Sequence, residues 1–160
     1  MEIERKFIVS SSPGPLASYP KKEILQGYIS TSPVIRIRKS NEDFFLTCKG
    51  KGLLAREEFE ISITALEFEH LSSKLDYYLI HKTRYLVPYG EYTIELDVFK
   101  DRLDGLLMAE VEFPSLEAAH DFDVPDWFEA EVTEDCRYQN NTLCRLNGFD
   151  ELNTKKESTR

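Results

Sequence analysis

The chain has 160 residues, 41% hydrophobic and 31% charged, with a net charge of −9 and a pI near 4.9. That length suffices for one domain with its own core. The acidic balance excludes a general binder of nucleic acid or anionic membranes, because basic groups would first have to be gathered in one place. No apolar run reaches the length of a membrane span and there is no signal-peptide core. Cys48, Cys136 and Cys144 are odd in number and lack metal-ligand spacing. They read as reduced thiols of a cytoplasmic protein.

Glu2-Ile3-Glu4-Arg5-Lys6-Phe7 opens the chain with strand-like alternation. Glu2, Glu4 and Lys6 fall on one face, and Ile3, Arg5 and Phe7 on the other. Ser10 to Pro20, rich in Ser, Pro and Gly, reads as a loop. Further strands are expected at 23–31, 34–38, 44–49 and 54–63, with turns at Ser32-Pro33, Asn41 to Asp43 and Gly50 to Gly52. Thr64 and Glu67 have capping-box spacing and open a helix that runs to about Tyr78. Strands follow at 80–87, 92–99 and 107–113. A short helix starts at Ser115 and runs through Ala119. Pro125-Asp126-Trp127 is a turn, 130–133 is a last short strand, and 134–146 is a helix stopped at Gly148. Residues 1–150 read as a single domain, and 151–160 as a polar, disordered tail.

The same alternation recurs down the chain. Glu2, Glu4, Glu58, Glu60, Glu95, Asp97, Glu110 and Glu112 share strand faces with Lys6, Arg36, Arg38, Lys49, Arg56, Lys82 and Arg84, while the opposite faces are rich in Ile, Leu, Val and Phe. Two architectures satisfy this pattern. One is an open antiparallel sheet with its charged side in water. The other is a closed barrel with the charges inside and the apolar faces covered by helices. Eight strands with few helices favour closure, because open edges invite association. So many charges inside a barrel would be costly without water, pairing or an ionic ligand. Paired carboxylates suit Mg²⁺ or Mn²⁺, and paired Arg and Lys suit phosphate. Together they point to a metal-bound polyphosphate.

The motifs Glu2-x-Glu4-x-Lys6, Gln26-Gly27-Tyr28, Arg36-x-Arg38, Thr47-Cys48-Lys49-Gly50, Arg56-x-Glu58-x-Glu60, Lys82-Thr83-Arg84-Tyr85, Glu95-x-Asp97, Glu110-x-Glu112 and Glu131-Val132-Thr133 stand in an order that resembles the CYTH domain, the triphosphate tunnel metalloenzymes. The resemblance covers Glu2 to about Gly148. It implies a β-rich α+β fold, a closed eight-stranded antiparallel barrel with a few helices packed outside. It also implies a small-molecule triphosphate as substrate, with Mg²⁺ or Mn²⁺ as cofactor.

In that reading Glu2, Glu4, Glu110 and Glu112 hold metal. Glu2, Glu4, Lys6, Glu58 and Glu60 form the catalytic set. Lys6, Arg36, Arg38, Lys49, Arg56, Lys82 and Arg84 grip phosphate. Glu95, Asp97 and Glu131 are further lumen positions, and Asp135 and Arg137 would close one end. Family members act on inorganic tripolyphosphate, on thiamine triphosphate, on ATP by cyclisation or on RNA 5′-triphosphate. The compact chain, without a base-stacking motif, leans to hydrolysis of inorganic triphosphate. Adenylate cyclisation, thiamine triphosphate hydrolysis and a polyphosphate- or nucleotide-binding role without catalysis stay open as alternatives. No nucleic-acid or membrane partner is expected.

Overall fold

The computed structural model describes residues 1–152. The strands are β1 (Glu2–Val9), β2 (Lys21–Thr31), β3 (Val34–Ser40), β4 (Asp43–Lys49), β5 (Ala55–Arg56), β6 (Glu58–Ser62), β7 (Ile80–Tyr89), β8 (Tyr92–Phe99), β9 (Leu107–Glu112) and β10 (Phe128–Glu131). With them go the short helices α1 (Ala65–Ser72), α2 (Leu116–Asp121) and α3 (Asn140–Leu143). Every recorded strand pairing is antiparallel. No helix among the described residues is long and apolar enough to cross a membrane.

The strands pair in the order β10-β1-β9-β8-β7-β2-β3-β4-β6. β5 lies on the edge of β1 that β10 also uses, opposite Glu2 and Ile3. The single strand expected at 54–63 is split at Glu57. The Leu54 carbonyl accepts from the Glu4 N–H, whereas the Glu57 carbonyl accepts from the Gly50 N–H. Successive backbone groups of a strand face opposite neighbours. The first half of this segment therefore bonds to β1 and the second half to β4, with too few residues to ladder both. The ladder ends at β6, and the closed eight-stranded barrel is not completed by hydrogen bonds. Residues of all nine strands from β1 to β9 nevertheless line one common cavity, so the sheet wraps around it.

Two apolar clusters hold this wrap. On the outer side Ile3, Phe7, Val9, Ile94, Leu96 and Val111 pack against Ala119 of α2 and against Phe122 and Phe128. The Phe122 ring stands edge-on to Phe113 and Tyr92, an arrangement aromatic pairs favour. The Ser115 hydroxyl accepts from the Ala118 N–H and starts α2 where the sequence places it. The second cluster stoppers one end of the wrap. Ile80, Phe99 and Met108 meet Tyr138, Leu143, Leu146 and Leu152. Glu151 and Leu152 fall in the stretch read as a disordered tail, but Glu151 accepts from the Asn147 side chain and Leu152 is buried; residues 153–160 lie outside the described residues.

Two helices are shorter than expected. α1 has its capping box at Thr64 and Glu67 but stops at Ser72 instead of Tyr78. The next residues leave the helix to pack on Gly27, where a Cβ would come within 2.7 Å of both Leu75 δ-carbons. The helix expected at 134–146 survives only as a 3-10 turn at Cys136–Tyr138 and as α3. Asn140, Asn141 and Thr142 are weak helix formers, and Gln139 takes an extended conformation between the two turns.

Candidate functional site

The cavity has a volume of about 420 Å³. Strand parity fills it. On β1 the residues Glu2, Glu4 and Lys6 point in, and the alternate residues point to the outer core. Register then sets carboxylates side by side: Glu4 stands opposite Glu112 on β9, and Glu110 opposite Glu95 on β8. Like charges in such cross-strand positions repel. Lys6 stands opposite Glu110, and its ammonium lies 3.6 Å from Glu4 and 3.9 Å from Glu110.

The electrostatics of these acids differ. Burial, and next the Glu110 charge, raise the pKa of Glu4. Burial, followed by Glu2 and Glu95, raises that of Glu112. Burial also opposes ionisation of Glu110, but Lys6, Arg84 and Lys82 outweigh it and hold its pKa low. Glu58 is pushed up to about 7 by burial and by the hydrogen bond and charge of Glu2, which keeps the shared proton on Glu58.

The bases divide into two groups. Lys49 is 2.8 Å from Glu2, and Arg56 is 3.9 Å from the same carboxylate. Arg84 forks onto Asp97 at 2.8 and 2.9 Å, and also reaches Glu95 at 2.9 Å and Glu110 at 3.3 Å. Lys82 is fully buried against Asp97 at 2.8 Å, and burial lowers its pKa to about 8. In contrast, Arg36 and Arg38 have no carboxylate partner among the described residues. Arg36 donates to the Thr47 hydroxyl, and its Nε is buried without a partner. Arg38 donates to Gln26, and burial together with the Arg36 and Arg84 charges lowers its pKa to about 10. Two neighbouring guanidiniums therefore face the cavity short of negative charge.

Of the residues singled out in the sequence, Glu2, Glu4, Lys6, Arg36, Arg38, Lys49, Arg56, Glu58, Glu60, Arg84, Glu95, Glu110 and Glu112 line the cavity. Lys82 and Asp97 are not part of this lining; Asp97 bonds to both Lys82 and Arg84. Glu131 is elsewhere: it pairs on the outer face with Arg5, at 2.6 and 2.9 Å. Asp135 and Arg137 bond to each other and do not line the cavity. Tyr28, Val34, Gln139, Asn140 and Asn141 do line it, although the sequence reading gave them no role. The parity of Gln26-Gly27-Tyr28 could have placed Tyr28. Nothing in the sequence marks the three amides, because they reach the cavity only after the expected helix breaks.

The carboxylates fit a divalent cation. Glu4 and Glu112 are cross-strand carboxyls of like charge whose ionisation burial and neighbouring glutamates resist, and an added 2+ charge would relieve that. Among the described residues no three acidic, His or Cys side chains converge into a complete ion cage. This suits a hard divalent ion that keeps several waters and takes one or two carboxylates as direct ligands.

A family model described as the CYTH domain matches residues 1–143. The chain belongs to the CYTH domain family. An inorganic triphosphatase of Nitrosomonas europaea is 43% identical over 148 residues, which are 89% of this chain and 95% of that protein. An inorganic triphosphatase of Acetivibrio thermocellus is 37% identical over 153 residues, 90% of this chain and 93% of its own length. The crystal structure of an inorganic triphosphatase superposes with a TM-score of 0.67 at 37% identity, over 90% of this chain and 94% of that one. This CYTH chain thus matches those relatives over nearly their whole length.

Proposed function

We propose that this CYTH protein hydrolyses inorganic triphosphate with Mg²⁺ or Mn²⁺ in the cavity enclosed by β1 to β9. One observation carries the reading: among the described residues, buried Arg36 and half-buried Arg38 lack carboxylate partners while Glu4 and Glu112 lack full cation compensation. A polyphosphate carrying a divalent cation supplies both missing charges at once. The two relatives named inorganic triphosphatase support the same substrate.

Arg36, Arg38, Lys49 and Arg56 bind the phosphate oxygens, with guanidiniums suited to bidentate contact. Glu2, Glu4, Glu110 and Glu112 would together offer the metal one or two direct carboxylate ligands, the others bonding to its remaining waters. The ion would polarise phosphate oxygens and activate water for in-line attack on a terminal phosphorus. Lys6 balances Glu4 and Glu110 and meets negative charge that develops on the transferring group. Arg84 is tied to Asp97 and Glu95, so it presents a fixed positive wall with little freedom to close on substrate.

Purified protein is expected to release phosphate from tripolyphosphate with Mg²⁺ or Mn²⁺ and to stop in EDTA. Equal rates with and without chelator would sink the metal-dependent mechanism. Cyclic AMP formed from ATP faster than tripolyphosphate is cleaved would replace hydrolysis by cyclisation.

A second expectation follows from Glu58. Its carboxyl keeps a proton to about pH 7 in the folded state, against 4.5 when free. Between these values the folded state binds more protons than the unfolded chain. The stability this group contributes is therefore complete below 4.5 and lost as pH rises to about 7. Metal-free protein should melt at progressively lower temperature across that window, by an amount that solvent screening of this half-exposed group keeps small. Glu58→Gln should flatten the slope. Identical pH slopes in the two proteins would show that Glu58 does not hold the proton.

A further inference from the structure

We infer that Gln139 is a positioning residue: it holds the Lys6 ammonium away from Glu4 and Glu110, so that these carboxylates remain available to the metal. This rests on the metal-dependent reading given above. Lys6 Nζ donates to Gln139 Oε1 at 3.3 Å, closer than its approaches of 3.6 Å to Glu4 and 3.9 Å to Glu110. An ammonium this buried would otherwise close on a carboxylate to about 2.8 Å, the usual length of a charge-assisted bond. Lys82 does so on Asp97 at 2.8 Å, and Lys49 on Glu2 at 2.8 Å. Lys6 is the exception among these three lysines: its nearest acceptor is a neutral amide, whereas Lys82, which also reaches the Asn140 amide at 3.5 Å, keeps its carboxylate as the nearer partner.

The amide is held from behind. Gln139 Nε2 donates to the Thr133 carbonyl at 3.4 Å, which fixes the oxygen towards Lys6. The Gln139 carbonyl accepts from the Thr142 and Leu143 N–H groups and anchors the residue at the start of α3. The Thr133 hydroxyl accepts from the Lys6 N–H at 3.0 Å and donates to Glu131 at 2.6 Å. Glu131 is in turn gripped by Arg5, whose Nη1 donates to the Ala119 carbonyl at 2.8 Å. The Lys6 main chain and the amide that receives its side chain are therefore both referenced to Thr133. Without the amide, the acceptors left to the Lys6 ammonium among the described residues are Glu4 and Glu110, and it becomes a competitor for the metal's own ligands.

Two variants test this. Gln139→Leu keeps volume but cannot accept a hydrogen bond. Gln139→Glu keeps an acceptor for Lys6 but offsets its charge. Mn²⁺ binding is measured by calorimetry without substrate, beside steady-state hydrolysis of tripolyphosphate and melting of each protein. Gln139→Leu is expected to weaken Mn²⁺ roughly tenfold to a hundredfold, the range typical of groups that orient metal ligands. The Mn²⁺ needed for half-maximal rate should rise in step, with KM at saturating metal within about threefold of the parent. Gln139→Glu should keep Mn²⁺ affinity near the parent value and instead raise KM for tripolyphosphate, because Lys6 no longer offers a net positive charge.

Parent-like Mn²⁺ binding in a folded Gln139→Leu protein would overturn the inference, as would a raised KM with unchanged metal affinity. If Gln139→Leu does not fold, Gln139→Glu decides: weakened Mn²⁺ binding in that variant overturns the inference, and retained binding with raised KM supports it. A parent protein that binds no Mn²⁺ and cleaves no tripolyphosphate would instead fail the broader functional reading.

Discussion

Glu4→Gln is expected to cut triphosphate hydrolysis by at least about a hundredfold while leaving the protein folded. The substitution removes the charge of a proposed metal ligand at nearly constant size. Electrostatic work by a bound metal amounts to several kcal/mol, and each 1.36 kcal/mol is about tenfold in rate. Folding should not suffer, because burial and the Glu110 charge already make ionised Glu4 unfavourable in the folded state. Its melting temperature without metal should equal or exceed that of the parent protein. Tripolyphosphate affinity should fall less than turnover, since Arg36 and Arg38 are untouched. The checks are phosphate release with saturating Mn²⁺, melting by calorimetry, and ligand titration. Parent-like turnover would remove Glu4 from the metal site.

Asp97→Ala should act on folding instead. Asp97 has no solvent exposure, and among the described residues it alone gives Lys82 a carboxylate contact while taking two of Arg84's bonds. Losing one partner of a buried ion pair strands the other charge, at about 3–5 kcal/mol. For a chain of this size that corresponds to a melting drop of roughly 6–20 °C. Lys82 has a partial escape, because burial has already lowered its pKa to about 8 and it can shed its proton. The loss should therefore be smaller at pH 9 than at pH 7. A drop of only a degree or two at pH 7 would mean that water reaches Lys82 and Arg84 in the variant.

How legible all this was in the sequence follows from period. A strand's two faces alternate with no drift, so the parity of Glu2-Glu4-Lys6 or Arg36-Arg38 carried straight into the cavity. The lumen position expected for Glu131 was not met: it pairs across from Phe7, on the outer face, a register that residues 130–133 do not show by themselves, and its carboxylate went to Arg5. Chain partners were not legible. The split at Glu57 depends on which neighbour each carbonyl meets, a fact held in β1 and β4 rather than in residues 54–63. Nor was the ending of α1 at Ser72, which Gly27 dictates from another strand by admitting Leu75. Helical periodicity over 134–146 was genuine, but Leu143 and Leu146 spend it on the stopper, while Gln139 to Asn141 turn to the cavity.

The stopper also grades the medium in which charges meet. At the end walled by Phe99, Met108 and Leu143, Lys82 and Asp97 face each other with no solvent exposure, whereas Glu58 at the β6 edge is partly exposed. A pair of charges at a given separation interacts about four times more strongly at an effective dielectric constant near 20 than in bulk water. An anion that reaches buried Arg36 would thus meet a charge less screened than those at the β6 edge, and part of that attraction would be owed to the leucine and phenylalanine that keep the far end dry.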